Sequence, residues 1–364
     1  VDKSMLTVRP GGRFDMHALV LAQARRKLAA HADAASLQQA HSRRFLALAA
    51  QPGADLAAEH DNLLAAWQTA VVRRDAAALE AVLFRMPWVS LVHGQIGQAV
   101  KLLQEAVQAF DADAPTGAQL KALQAWLLLW QGQRERACAL AENALQKLAG
   151  NPQVAGRVMA LRTLGHAARL RGQHALAAQY LTQGMQHARE AGLKAIEALM
   201  QDGLAMALNM LGRHDEARAA IEAAIRLNGE SGDATQGLYN LYNLSQSHSL
   251  AGEPAQALPW AGQALVLARR IGFAYFLPHV HVELALIYLG LRQFEEARRE
   301  LDAARRLALD HQDLAVLAAV HEATARLALD EGDTARARGE IANAARLCLE
   351  HDNVMTSAAL VLMM

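Results

Sequence analysis

The chain has 364 residues, with 36 Lys and Arg against 36 Asp and Glu, 8 Pro, and Ala and Leu as its dominant residues. A zero formal charge argues against a surface that holds nucleic acid unaided, which needs a basic excess. No run of about 18 apolar residues is uninterrupted, so no membrane-spanning helix is expected. The cysteines, Cys138 and Cys348, stand in apolar helical contexts and read as small buried residues rather than a disulfide or metal pair. Few cysteines and no signal peptide lead to the expectation of a cytoplasmic protein. The start at Val1 reads as that of a piece of a longer one.

Three stretches are expected: residues 1–50, a short N-terminal module with linker helices; 51–352, a helical array; and 353–364, the start of a further helix. In the first, Met5–Val8 and Arg13–His17 flank Pro10-Gly11-Gly12, which predicts a β-hairpin. Residues 18–30 and 35–50 read as helices. In the last, Val354, Met355, Leu360 and Val361 form an apolar face without a following helix to cover it.

The array is set by a beat. A Gly followed five residues later by Ala occurs at Gly132/Ala137, Gly172/Ala177, Gly212/Ala217, Gly252/Ala257 and Gly332/Ala337, with Arg292/Ala297 filling the missing step, so that the spacing is 40 throughout; Gly94/Ala99 precedes by 38. Positions nine and twelve after the anchor, and seven before it, stay apolar or small in phase. A glycine ends a helix cheaply because a left-handed backbone is strained by a Cβ. The Ala and the positions four and seven beyond it share one helix face, where small side chains let two axes approach. Each unit is therefore helix A, a tight turn and helix B, which predicts an all-α superhelix of helix pairs. Interruptions such as Gly150-Asn151-Pro152, Ala191-Gly192, Asn228–Gly232 and Asp310–Asp313 carry turn chemistry between units.

This column pattern resembles the tetratricopeptide repeat, whose unit is about 34 residues, with about six more here. The junction carries a second resemblance. Val1-Asp2-Lys3-Ser4-Met5-Leu6, Arg13-Phe14-Asp15-Met16-His17-Ala18-Leu19-Val20, His41-Ser42-Arg43-Arg44-Phe45-Leu46-Ala47-Leu48-Ala49 and Glu59-His60-Asp61-Asn62-Leu63-Leu64-Ala65-Ala66-Trp67 resemble, in that order, the segments that join a winged-helix module to the repeat array in STAND-type signalling ATPases, the MalT-, LuxR- and SARP-type transcriptional regulators. The resemblance implies the end of a winged-helix module at the N-terminus and a tetratricopeptide-like sensor beyond it. No Walker A loop or G-x-G-x-x-G is present, so nucleotide hydrolysis does not carry over to these residues.

Catalytic motifs are missing from the sequence: it has no H-E-x-x-H, G-x-S-x-G or Cys-x-x-Cys. His279 and His281, two apart, point to different helix faces and do not suit a metal. Neither enzyme nor cofactor is expected. Glu295, Glu296, Arg298 and Arg299 read as a solvated outer face. Helix A positions about 13, 10, 6 and 3 before the anchor share a face that lines the concave side in repeats of this class. There the middle units carry Arg162, His166, Arg169, Asp202, Asn209, Tyr239, Tyr242 and Gln246, with the tyrosines exposed between packed leucines. Forked donors and aromatic faces suit a ligand with amides, hydroxyls or a carboxylate. A solvated channel, a peptide or protein partner and a small effector all remain open. The expected function is the sensor domain of a signal-transducing transcriptional regulator, without direct nucleic acid or membrane contact. The alternative is an assembly scaffold with no small ligand, with self-association kept open.

Overall fold

Helices of 17 residues alternate with three-residue turns over most of the chain. The computed structural model describes residues 6–9, 13–51, 56, 59–83, 86, 96–110, 115–229 and 234–350. After the strands β1 (Leu6–Arg9) and β2 (Arg13–Met16) come the helices α1 (Ala18–Ala29), α2 (Ala34–Ala50), α3 (His60–Val72), α4 (Ala76–Glu80), α5 (Ile96–Ala109), α6 (Pro115–Trp130) and α7 (Arg134–Lys147). The regular part follows: α8 (Val154–Leu170), α9 (His174–Glu190), α10 (Lys194–Met210), α11 (His214–Gly229), α12 (Ala234–Leu250), α13 (Pro254–Arg270), α14 (Leu277–Gly290, preceded by the 3-10 turn Ala274–Phe276), α15 (Phe294–Asp310), α16 (Leu314–Asp330) and α17 (Thr334–Glu350).

The turn chemistry explains the beat. Gly132, Gly172, Gly212, Gly252 and Gly332 all have φ between 72° and 82°, in the left-handed region. At each, the chain closes the helix in the same way. The Gly172 N–H donates to the Arg169 carbonyl at 3.0 Å and the Gln173 N–H reaches back to Ala168 at 2.9 Å, which satisfies two carbonyls that the helix end leaves open. A second left-handed column lies midway: Gly192 (68°), Gly272 (68°) and Gln312 (54°) end B helices. The 40-residue unit is thus two near-equal halves of 20, each a helix of about 17 residues and a three-residue turn.

Arg292 takes the anchor conformation without being glycine, at φ 59°. Its guanidinium lies 5.3 Å from the Phe294 ring centre, which offsets only part of the strain. Arg292→Gly is expected to raise stability by about 0.5–1 kcal/mol. A urea midpoint equal to or below that of the parent would count against strain at this turn.

Behind the turns the small columns do the packing. Ala137, Ala177, Ala217, Ala257 and Ala297 are 0% exposed. A Cβ on Gly165 would lie 2.7 Å from Leu181 Cγ, so here only glycine lets the A and B axes come this close. Successive A helices (α6 on α8, α8 on α10, α10 on α12, α12 on α14, α14 on α16) touch along the stack, and no comparable contact joins successive B helices. The A side is therefore the inner, concave one. The apolar core is broken into clusters along this stack, and the interior between α10 and α12 is polar, with Asp202, Gln236, Asn240 and Asn243 buried.

At the N-terminus β1 and β2 pair antiparallel, Leu6 opposite Met16 and Arg9 opposite Arg13. Helix α1 buries no residue. Two four-residue strands and a helix without a buried face provide no shared core, so the packing does not support a winged-helix remnant. The first helices with a firm interior are α2 and α3, where Ser42 Oγ donates to the Ala66 carbonyl at 2.8 Å over a buried Trp67. The Pro10–Gly12 turn, the Gly94 anchor with Pro87, the turn at 230–233 and the apolar stretch 353–364 lie outside the described residues.

Candidate functional site

Helices α8, α10 and α12 bring seven of the expected residues onto one inner face, at two depths. Arg162 and Asp202 are each 6% exposed and form the floor, whereas His166, Arg169, Tyr239, Tyr242 and Gln246 are half-buried and form the walls. The Arg162 guanidinium sits 3.9 Å from the ring centre of Trp126 on α6, and His166 meets the same indole edge-on at 4.9 Å. Asp202 accepts hydrogen bonds from Gln236 and from Asn240 Nδ2, the latter at 2.9 Å, and Asn228 Nδ2 donates to Asn240 Oδ1 at 2.7 Å. The carboxyl therefore ties α10 to α12, and Asn240 ties both to α11. The eighth residue, Asn209, has a structural task near the turn: Ser247 Oγ donates to its Oδ1 at 3.0 Å, and the His214 ring lies 3.2 Å away.

The tyrosines are not the exposed residues expected between packed leucines. Tyr239 and Tyr242 meet Phe276 edge-on at 4.7 and 5.0 Å, and His279 stacks on Phe276 at 5.2 Å. The 3-10 turn before α14 places Phe276 there, one unit along from the tyrosines. Gln246 Nε2 donates to Tyr242 Oη at 3.0 Å. His281 faces away from His279, pairing with Glu300 of α15 at 2.5 Å; His321 and Glu340 repeat that pairing one unit on.

Burial controls the charges. It raises Asp202 to about 7, against the pull of Asn243, Arg162, Asn240 and Gln236. It raises Glu283 to about 7, against hydrogen bonds from Ser245, Ser249 and Gln246. It lowers Arg162 and Arg169 to about 10, where both stay cationic. His166 is pushed well below its ordinary value by burial and by the two arginines, and is neutral. The hydroxyls of Tyr239 and Tyr242 are pushed up by burial and remain protonated.

These shifts set a pH profile. Asp202 and Glu283 keep a proton to about pH 7 in the folded chain but lose it near the ordinary carboxylate value when unfolded. The folded state binds more protons in between, so stability falls as pH rises from about 4 through about 7. His166 and His279 act in the opposite direction: their lowered folded values cost stability as pH falls below about 6.5. A maximum just on the acid side of neutrality is expected, with on the order of 1 kcal/mol lost between about pH 6.5 and 8. Urea midpoints across that range measure it. The double variant Asp202→Asn, Glu283→Gln should abolish the decline; persistence of the slope would assign it to other groups.

Gln236, Asn240, Asn243, Glu283 and Phe276 were not legible as site residues, because they lie off the helix stripe counted from the anchor. One signal was available. The column containing Asn240 holds Ala160, Met200, Val280 and Val320 in the other units, and a lone amide in an apolar column needs a buried partner. Trp126 did fall on the inner stripe, but the array frame alone does not show that it carries Arg162.

A tetratricopeptide repeat family model matches residues 196–270, the segment that holds Asp202, Asn209, Tyr239, Tyr242 and Gln246. No curated protein sequence matches the chain. Among solved structures, a Rap protein complexed with competence and sporulation factor is similar at 14% identity and a TM-score of 0.59, over 90% of this chain and 96% of that one. NprR in complex with its cognate peptide NprX is similar at 18% identity and 0.55, over 75% and 78%. A signal transduction ATPase with numerous domains (STAND) with a tetratricopeptide repeat sensor, from Pyrococcus horikoshii, is similar at 13% identity and 0.50, over 98% of this chain and 58% of that one. At these identities the likeness establishes the fold, a tetratricopeptide-like superhelix. Among the described residues no helix is long and apolar enough to cross a membrane.

Proposed function

We propose that the chain is a regulatory sensor module that binds a peptide, or an extended segment of a protein, along the inner face of α8, α10 and α12, and that it acts by binding rather than by catalysis. The observation that carries this reading is the polar and aromatic strip itself, a two-level surface set in a stack whose remaining interior is mainly Ala and Leu. NprR, which shares the fold, is seen in complex with its cognate peptide, and the Rap protein with competence and sporulation factor. We further infer that the module is the sensor arm of a STAND-type transcriptional regulator of the MalT, LuxR or SARP kind. The junction sequence between Arg13 and Trp67 supports this, as does the likeness to a STAND protein of which this chain spans about 58%. In such a protein, occupancy of the inner face would bias the attached module between two states.

Hydrogen exchange of the full chain with a pooled library of synthetic hexapeptides tests the binding reading. Slower exchange is expected in α8, α10 and α12 and should be lost in Tyr242→Ala. Protection confined to the B helices, or none anywhere, would remove the proposal.

A further inference from the structure

We propose that the convex side of the array carries a self-association surface: the outer face of α13 packs antiparallel on the same face of a second copy of the chain, about a two-fold axis, with α11 and α15 as its charged flanks. This surface lies on the side opposite the inner face, so the dimer and the binding reading stand or fall separately.

In the B helices the positions 3, 7, 10 and 14 residues after the anchor share one face, turned away from the A helices. On α15 they hold Glu295, Arg299, Asp302 and Arg306, and on α11 Asp215, Ala219, Glu222 and Arg226. On α13, between these two, they hold Ala255, Pro259, Gly262 and Val266, and no charged residue occurs from 254 to 268. Ala255 and Pro259 are exposed, and Val266 is 66% exposed. Neither α11 nor α15 makes substantial contact with α13, so this uncharged face stands open between two charged ones. With no long side chain along it, a second α13 can approach to the short end of helix spacing, about 8 Å. That brings the longer side chains of the flanks within reach of their counterparts.

The charges select the second copy as occupant and fix its orientation. An axis midway between Pro259 and Gly262 that sets α13 antiparallel to itself exchanges positions 3 and 14, and positions 7 and 10. Arg306 then faces Glu295 of the second copy, Arg299 faces Asp302, and Arg226 faces Asp215, and the two-fold axis repeats each pair. A parallel copy would instead set Asp215 against Glu295 and Arg226 against Arg306, like against like. Arg226, Asp302 and Arg306 make no ion pair within the chain among the described residues. Asp215, Glu295 and Arg299 each hold a neighbour three residues away, but their side chains remain largely exposed, and exposed pairs of this kind are weak enough to be shared. One helix face with two charged flanks is a small interface, which fits a weak, reversible dimer.

Sedimentation equilibrium of the full chain at low salt tests the surface. A species of twice 39.3 kDa is expected, with its association weakening as salt rises. A Cβ on Gly262 would meet nothing within 4 Å, so Gly262→Glu leaves the fold intact; by placing two like charges at the axis it should weaken dimerisation about a hundred-fold. Arg306→Glu should weaken it about tenfold, and adding Glu295→Arg should bring it back to within about threefold of the parent, because the reversed pair attracts again. Circular dichroism confirms the fold of each variant. A monomer at every concentration, or a dimer that Gly262→Glu leaves unchanged, overturns the proposal. A double variant that stays as weak as Arg306→Glu overturns the antiparallel pairing, and with it the choice of this face.

Discussion

Asp202→Ala is expected to destabilise the chain by about 3–5 kcal/mol, since a buried acceptor is lost while its donors stay in place. Asp202 is 6% exposed and accepts from Gln236 and Asn240 of the next A helix. Without it those buried amides lose their acceptor, and the Arg162 charge loses the carboxyl that favours it. Asn240 also receives Asn228, so the damage spreads to α11. Asp202→Asn keeps one acceptor oxygen and should fall between parent and Ala. Units in a repeat stack contact only their neighbours, so the loss should appear as faster hydrogen exchange in α10–α12 before it appears in α16 and α17. A urea midpoint corresponding to less than about 1 kcal/mol of loss would mean that the network does not hold these units together.

Trp126→Ala is the second large effect, about 3–5 kcal/mol for truncating a fully packed aromatic residue. The indole is 3% exposed and supports Arg162 at 3.9 Å, His166 at 4.9 Å and Trp130 at 5.9 Å. Its loss combines a cavity with the release of a buried cation. Trp126→Phe retains a ring face for Arg162 and should cost about 1–2 kcal/mol. Chemical denaturation of both variants separates the two contributions: near-equal losses would assign the whole effect to volume and none to the stacked guanidinium.

Much of the architecture could be read without coordinates. Glycine at 132, 172, 212, 252 and 332 marks turns because its freedom at positive φ is a property of the residue itself, and the structure places every one of them between 72° and 82°. The buried Ala columns follow from the same count, because five, nine and twelve residues past a helix break return to one face of the next helix. The midpoint column was harder to see. It reads Pro152, Gly192, Gly232, Gly272 and Gln312, and its steps are kept by backbone geometry at Gln312 rather than by residue type.

The site was legible only in part. Counting along one helix found Arg162, Arg169, Asp202, Tyr239 and Tyr242 as inward residues, but it treated the tyrosines as exposed and could not tell floor from wall. Nor could it give Asn209 its task, which depends on Ser247 and His214 from two other helices.

The sequence by itself determined that this chain forms paired helices with small residues at their crossings, since helix breaks and face periodicity are local. Only the tertiary structure decided which polar groups meet. Asp202 joins residues 34 and 38 positions away, and Arg162 rests on an indole 36 positions before it. Such pairings depend on the angle at which one unit stacks on the next, and no count along a single helix contains that angle.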